Sequence, residues 1–172
     1  MARWEGMNAI TILVVHHSPT PTARGIADTV LTAARDAAAE VAESMGDASQ
    51  VRIVERAALE PDVEELLAAD AVILGTTANF GYISGALKHY FDSTFAAAHE
   101  PTAGLPVSWW IRGGYDTTGA EKAMRSLTTG MNWEIAAEPV EFVGDPSEHA
   151  DQLVTMAQSV VGAAVMASEK EK

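Results

Sequence analysis

Three short stretches of the chain hold the side chains that could do chemistry. The first, His16-His17-Ser18-Pro19-Thr20-Pro21-Thr22, sets three hydroxyls and two imidazoles directly ahead of an apolar helical stripe. A helix start offers unpaired N–H groups and the positive end of the peptide dipole, so Ser18, Thr20 and Thr22 suit a phosphate monoester held by neutral donors. The same residues also read as an ordinary helix entry, with Thr22 as N-cap behind a proline-stiffened turn. Both readings stand on this loop alone. The second stretch, residues 75–85, carries three glycines together with Phe80 and Tyr82. Small residues there let backbone groups approach the edge of a flat ligand, while an aromatic covers its face or plugs the top of the core. The third, residues 112–118, repeats that recipe with Gly113, Gly114, Tyr115 and Thr117. Asp116 or Thr118 can also cap the helix that follows.

Several chemistries are excluded. With no cysteine there is no thiol nucleophile, disulfide, thiolate zinc site or cysteine-ligated cluster. No G-x-G-x-x-G follows the first aliphatic run, and no G-x-x-x-x-G-K-[ST] occurs anywhere, so dinucleotide and P-loop sites are unsupported. His16 and His17 are the only groups near these loops that titrate around neutral pH, and one of the two is expected to pack while the other faces the loop. Arg24, Lys88 and Arg112 are the nearby cations able to attract a nucleotide phosphate or simply to be solvated.

The elements that position these stretches alternate. Aliphatic runs at 10–16, 51–54, 71–75, 105–111 and 135–143 read as strands, the last with Pro139 marking an edge or an irregular start. Helical periodicity runs from Ala23 to Val41 with Gly46 as a stop, over 63–68, from an N-cap at Ser84 to Ala98, over 119–130, and from Leu153 to Val165. Five strand–helix alternations predict a single α/β domain, a doubly wound five-stranded parallel sheet of order 2-1-3-4-5. Its ligand crevice lies beyond the carboxyl ends of strands 1, 3 and 4, where the three stretches fall. Residues 1–8 and the polar tail 168–172 are expected to fray, and either Met1 or Met7 serves as the native start.

At this point a resemblance becomes specific. Gly75-Thr76-Thr77-Ala78-Asn79-Phe80-Gly81-Tyr82-Ile83-Ser84-Gly85-Ala86-Leu87-Lys88 resembles the G-T-P-x-N-x-G-x-x-S-G-x-L-K segment of flavodoxin-like proteins, nearest to the NAD(P)H-dependent FMN and quinone reductases. The run Gly113 to Ala120 resembles the glycine-rich loop of that family after its fourth strand, and the likeness extends over roughly residues 9–165. The resemblance implies one FMN, with its phosphate at Ser18, Thr20 and Thr22. Its ring would lie between Thr77, Ala78, Asn79, Phe80, Gly81 and Tyr82 on one side and Gly113, Gly114, Tyr115 and Thr117 on the other. It also implies NAD(P)H as hydride donor, a quinone or similar small molecule as electron acceptor, no catalytic side chain and no metal, and a homodimer or homotetramer as the assembly. In such a protein the cofactor carries the chemistry, which matches the lack of a catalytic dyad. The sequence departs from the pattern in three places: Thr77 replaces a proline, Pro21 replaces the glycine of the phosphate pattern T-x-T-G-x-T, and Ala23 replaces its last threonine. The last two remove one N–H and one hydroxyl from the phosphate loop.

Charge narrows the partners. Eleven Lys and Arg stand against 24 Asp and Glu, a net −13, so nucleic acid, which needs clustered cations, is not an expected partner. That acidity suits docking to basic redox proteins, which makes a flavodoxin-type electron carrier the rival to the reductase; a flavin-free domain of the same fold is the third reading. A receiver domain needs carboxylates after strands 1 and 3, where this chain has His-His-Ser and Gly-Thr. A chelatase needs a second ligand beside His16-His17, and His89, His99 and His149 lie elsewhere. The softest segment, residues 153–167, carries Thr155, Gln158 and Ser159 and is short for a bilayer. A cytoplasmic protein away from membranes is the expectation.

Overall fold

The computed structural model describes residues 9–46 and 51–170; the expectations for residues 1–8, for the choice of Met1 or Met7 and for the last two residues lie outside them. In chain order the elements are β1 (Ile10–His16), α1 (Pro21–Met45), β2 (Val51–Ala57), α2 (Val63–Leu67), β3 (Ala71–Asn79), β4 (Tyr82–Ile83), α3 (Gly85–Ala98), β5 (Pro106–Gly113), α4 (Thr118–Gly130), β6 (Glu134–Ile135), β7 (Val140–Val143), a 3-10 turn (Pro146–His149) and α5 (Ala150–Lys170). The sheet order is β2-β1-β3-β5-β6, with β7 also parallel to β5 and β4 antiparallel to β3. The five-strand parallel order read from the sequence therefore holds as the frame, and two short strands are added to it.

Each face of the sheet has its own core. Ile10, Ile12 and Val14 of β1 point to α1 and α5, where the periodic residues Ile26, Val30, Leu31, Leu153, Met156, Val160 and Val161 are buried. Leu13 and Val15 point the other way, to Leu66 of α2, Leu87 and Phe91 of α3 and Met124 of α4. All seven residues of β1 are buried, which explains why its sequence lacks polar alternation.

Four expectations are corrected. The strand expected over 135–143 is two pieces beside β5: Val107 pairs with Ile135 and Trp110 with Val140, so five steps on one chain match three on the other. The surplus bulges at residues 136–139, where Pro139 has no N–H for the ladder and Ser108 Oγ takes the Ala137 carbonyl instead. Strand β2 runs past Val54 to Ala57. Residues 76–79, read as loop, continue β3 and turn back as β4. The polar residues from 168 onward remain helical as far as Lys170. Among the described residues, no helix is long and apolar enough to cross a membrane.

Candidate functional site at the carboxyl edge of the sheet

Register brings the three stretches to one edge. His16 lies beside Gly75, Gly75 beside Trp110, and Ala78 beside Gly113. The His17 N–H donates to the Gly75 carbonyl at 3.1 Å, which ties the start of the first loop to the middle strand.

Helix α1 begins two residues earlier than the spacing predicts. Thr20, not Thr22, is the N-cap: its backbone is extended, and its Oγ1 accepts the Ala23 N–H at 3.1 Å. Pro21 takes the first helical position, where its fixed φ fits and its missing N–H has no helical partner to lose. Thr22 is thereby left exposed, with a first-turn N–H that no helical carbonyl can accept. Ser18 is half-buried and Thr20 exposed on the same loop.

Behind this loop lies a side-chain relay that the sequence did not reveal. His16 is 6% exposed; its Nδ1 is 2.8 Å from Ser18 Oγ and its Nε2 3.0 Å from Glu55 Oε1. Arg24 donates to the same Glu55 oxygen at 2.7 Å and to Asp28 at 2.9 Å. Burial lowers the imidazole below its ordinary pKa despite the carboxylate beside it. Burial alone would raise Glu55, but the bonds from Arg24 and His16 prevail and hold it below the usual range. The Trp110 indole, 5.8 Å from the imidazole between ring centres, walls this pocket. It sits against Gly75, whose bare Cα leaves space that any side chain would take from the indole.

The second stretch is a two-residue β-hairpin. Asn79 pairs with Tyr82 across Phe80 and Gly81, whose φ values are +51° and +70°. Positive φ at both central residues is the type I′ pattern that matches strand twist, and an aromatic is a strained occupant of its first position. Buried Thr76 locks the hairpin base: its Oγ1 accepts the Ser84 N–H at 3.0 Å and donates to the Thr77 carbonyl at 2.9 Å. Ser84 Oγ in turn caps α3 through the Leu87 N–H. Thr77 Oγ1 donates to Asn79 Oδ1 at 3.0 Å, so both face one side of the hairpin. Phe80 is fully exposed and Tyr82 44% exposed.

In the third stretch Tyr115 projects, 91% exposed, beside exposed Gly114. Asp116 Oδ1 accepts from both the N–H and the hydroxyl of Thr118, which holds its carboxyl below the ordinary range. Thr117 is turned inward, its hydroxyl donating to Glu121, and Gly113 is buried. The edge thus gathers the hydroxyls of Ser18, Thr20 and Thr22 and the exposed Asn79, Phe80, Tyr82, Gly114 and Tyr115. Thr117 and Gly113 shape the third loop from within, and Ala78 and Gly81 are half-buried in the hairpin. None of the three cations considered from sequence stands free: Arg24 pairs as above, Lys88 pairs with Asp92 at 2.6 Å, and Arg112 donates to the Gly144 carbonyl. A cleft of about 470 Å³ between residues 137–141 and α5 lies at the bulged strand, away from these loops.

No protein-family model matches this sequence, and no curated protein matches it. Solved structures do. An oxidoreductase from Corynebacterium diphtheriae superposes with a TM-score of 0.70 over 92% of this chain and 98% of its own, at 17% identity. A flavodoxin from the domain Archaea gives a TM-score of 0.69 over 90% and 99%, at 12% identity. The chain has a flavodoxin-like fold. The rubredoxin:oxygen oxidoreductase of Desulfovibrio gigas also matches, with a TM-score of 0.71 and 17% identity over 91% of this chain. That match spans 36% of the larger protein. In a flavodoxin-like fold the order reverses at β1, since α1 and α3 pack on opposite faces. The three loops gathered here flank that switch point, where open α/β sheets take their ligands.

Proposed function

We propose that this chain binds one FMN at the carboxyl edge of the sheet and passes electrons from NAD(P)H to a quinone or similar small acceptor. The observation carrying this reading is the pairing of a hydroxyl-lined helix start with exposed aromatics on the two neighbouring loops. Ser18, Thr20 and Thr22, with the unpaired Thr22 N–H, fit a phosphate monoester. Phe80, Tyr82 and Tyr115, with backbone left bare by Gly114, fit a flat ring. When bound, the flavin supplies the redox chemistry. The chain's residues bind and orient: the α1 start holds the phosphate, the hairpin edge at Thr77 and Asn79 offers polar groups to the ring, and the aromatics shield it from water. No side chain here has to act as a nucleophile.

Phe80 and Tyr115 stand out from the protein, which leaves room beside the ring for a nicotinamide and then a planar acceptor. This favours the reductase over a carrier that encloses its flavin. The carrier reading draws on the net charge of −13, which suits basic partner proteins.

The first experiment is titration of the apoprotein with FMN and with riboflavin, followed by the visible flavin spectrum. FMN strongly preferred supports the site; equal binding of both, or binding of neither, removes it. Anaerobic mixing of the loaded protein with NADH and NADPH then separates the two activities. Bleaching that a quinone reverses supports the reductase, whereas indifference to both nucleotides moves the reading to the carrier.

A further inference from the structure

The buried His16 joins a carboxylate on β2 to a hydroxyl on the loop ahead of α1. Its two nitrogens have unequal partners. Glu55 is an ionised carboxylate and can only accept, so Nε2 carries a hydrogen at all times. In the neutral imidazole Nδ1 is then a bare lone pair, and the 2.8 Å contact must be a bond donated by the Ser18 hydroxyl. Ser18 in that state turns only lone pairs toward the loop, the wrong polarity for an anion. When His16 is protonated, Nδ1–H donates to Ser18 Oγ, and the hydroxyl hydrogen is released to point outward.

We propose that His16 is a positioning residue for the phosphate: by setting whether Ser18 offers a hydrogen or a lone pair, it couples the uptake of a phosphate monoester dianion to the uptake of one solvent proton. This rests on the FMN reading given above. The charged groups around the imidazole agree with a proton held there on demand. Glu55 faces it from β2, Arg24 and Asp28 from α1, and Arg35 reaches the second Glu55 oxygen at 3.9 Å. From β5 the neighbour is the uncharged Trp110. Burial disfavours the imidazolium and prevails in the free protein, with Arg24 adding to it, against Glu55 and then Asp28, which favour the charged ring. A bound dianion adds the favourable charge and the hydrogen-bond demand together. The pKa of His16 therefore rises on loading, and affinity falls as pH climbs between the free and loaded values.

The test measures FMN and riboflavin affinities from about pH 6 to about pH 8.5, across the ordinary imidazole range, for the parent protein and for His16→Asn and Ser18→Ala. Nitrogen-15 NMR of labelled histidine follows the His16 ring in parallel. FMN affinity is expected to drop by up to about tenfold per pH unit between the two pKa values, with riboflavin flat. Both variants should lose that slope and keep only the mild effect of the second phosphate ionisation near about pH 6. The asparagine still meets Ser18 but cannot titrate, and Ser18→Ala leaves His16 in place, so each checks the other against simple misfolding. In the loaded parent at about pH 7, within the imidazole range, both ring nitrogens should carry hydrogen. FMN bound tightly with a flat pH profile, a slope retained in either variant, or a neutral His16 in the loaded protein overturns the coupling and leaves the FMN site intact. Absence of FMN binding at every pH removes the site, and the coupling with it.

Discussion

The carbonyl oxygen of Gly81 occupies the space that a side chain on Gly119 would need: an added Cβ would stand 2.0 Å from it. The hairpin tip and the first turn of α4 are therefore pressed together, and the second and third loops form one wall of the crevice. Gly119→Ala forces that wall open. It should cost about 1–3 kcal/mol as overpacking does and weaken FMN beyond what the stability loss explains. Gly130→Ala, at the far end of the same helix, where an added Cβ meets nothing within 4 Å, is the matched control and should cost nothing. Urea unfolding and FMN titration on both variants decide it; equal behaviour would mean that the hairpin moves aside freely.

The α1 start separates capping from ligand binding between two threonines. Thr20 caps the helix, so Thr20→Ala should lower stability by about 1 kcal/mol. Thr22→Ala should leave the urea midpoint unchanged while weakening FMN and sparing riboflavin, because Thr22 is exposed, holds no cap and lies in the loop proposed to take the phosphate. A stability loss at Thr22 equal to that at Thr20 would contradict the cap assignment.

Those two residues also mark what sequence reading reaches. The strand order, the helical stripes and the edge where the loops meet follow from hydrophobic period and crossover rules, because burial on both faces leaves a plain signature in runs such as Ile10–His16. The cap was misplaced by two positions because Pro21 looks like part of a loop until its place in the first helical turn is seen. The β3–β4 hairpin was missed because Phe80-Gly81 lacks the Asn-Gly or Asp-Gly that advertises a type I′ turn. Thr76 falls on the threonine of the G-T-P-x-N pattern, but nothing in the sequence marks it as the residue that pins the hairpin. Glu55 was invisible for a different reason. Its meeting with His16 depends on parallel register between strands 39 residues apart, and only the extension of β2 beyond Val54 brings it there. A lone acidic residue near the carboxyl end of the second strand was the one available signal.

Glu141 gives a prediction in pH. It is a part-buried carboxylate that accepts the Trp109 indole N–H at 2.7 Å. Burial raises its pKa, with the neighbouring acids Glu121 and Glu138 adding to that, against opposition from the Trp109 bond and from Arg125. An acid raised in the folded state stabilises the fold while protonated, below its unfolded pKa, and that contribution is lost as pH rises through the folded value. Glu141→Gln keeps an acceptor for Trp109 and never ionises. It should therefore gain on the parent protein as pH is raised from about 4 to about 7, across the carboxyl range. Urea midpoints at several pH values report this; a pH-independent difference would show that Arg125, 3.8 Å away, balances the burial.

Phe80 sets stability against binding most directly. A phenylalanine at φ +51° bears left-handed strain of about 1–2 kcal/mol, and its ring is fully exposed, so it returns no burial in the free protein. Such strain persists where the side chain is needed by a ligand. Phe80→Asn relieves it and supplies the residue a type I′ turn favours ahead of glycine. The variant should be more stable by about 1 kcal/mol, within that strain, and should bind FMN and riboflavin more weakly by the same factor, since the ring is what both ligands share. Thr22→Ala, by contrast, should discriminate between them. If Phe80→Asn weakens FMN alone, the aromatic does not cover the ring and the ligand lies the other way round in the crevice. If it stabilises the protein without touching either affinity, Phe80 serves a partner that reaches this edge from outside, and the flavin sits wholly behind the hairpin.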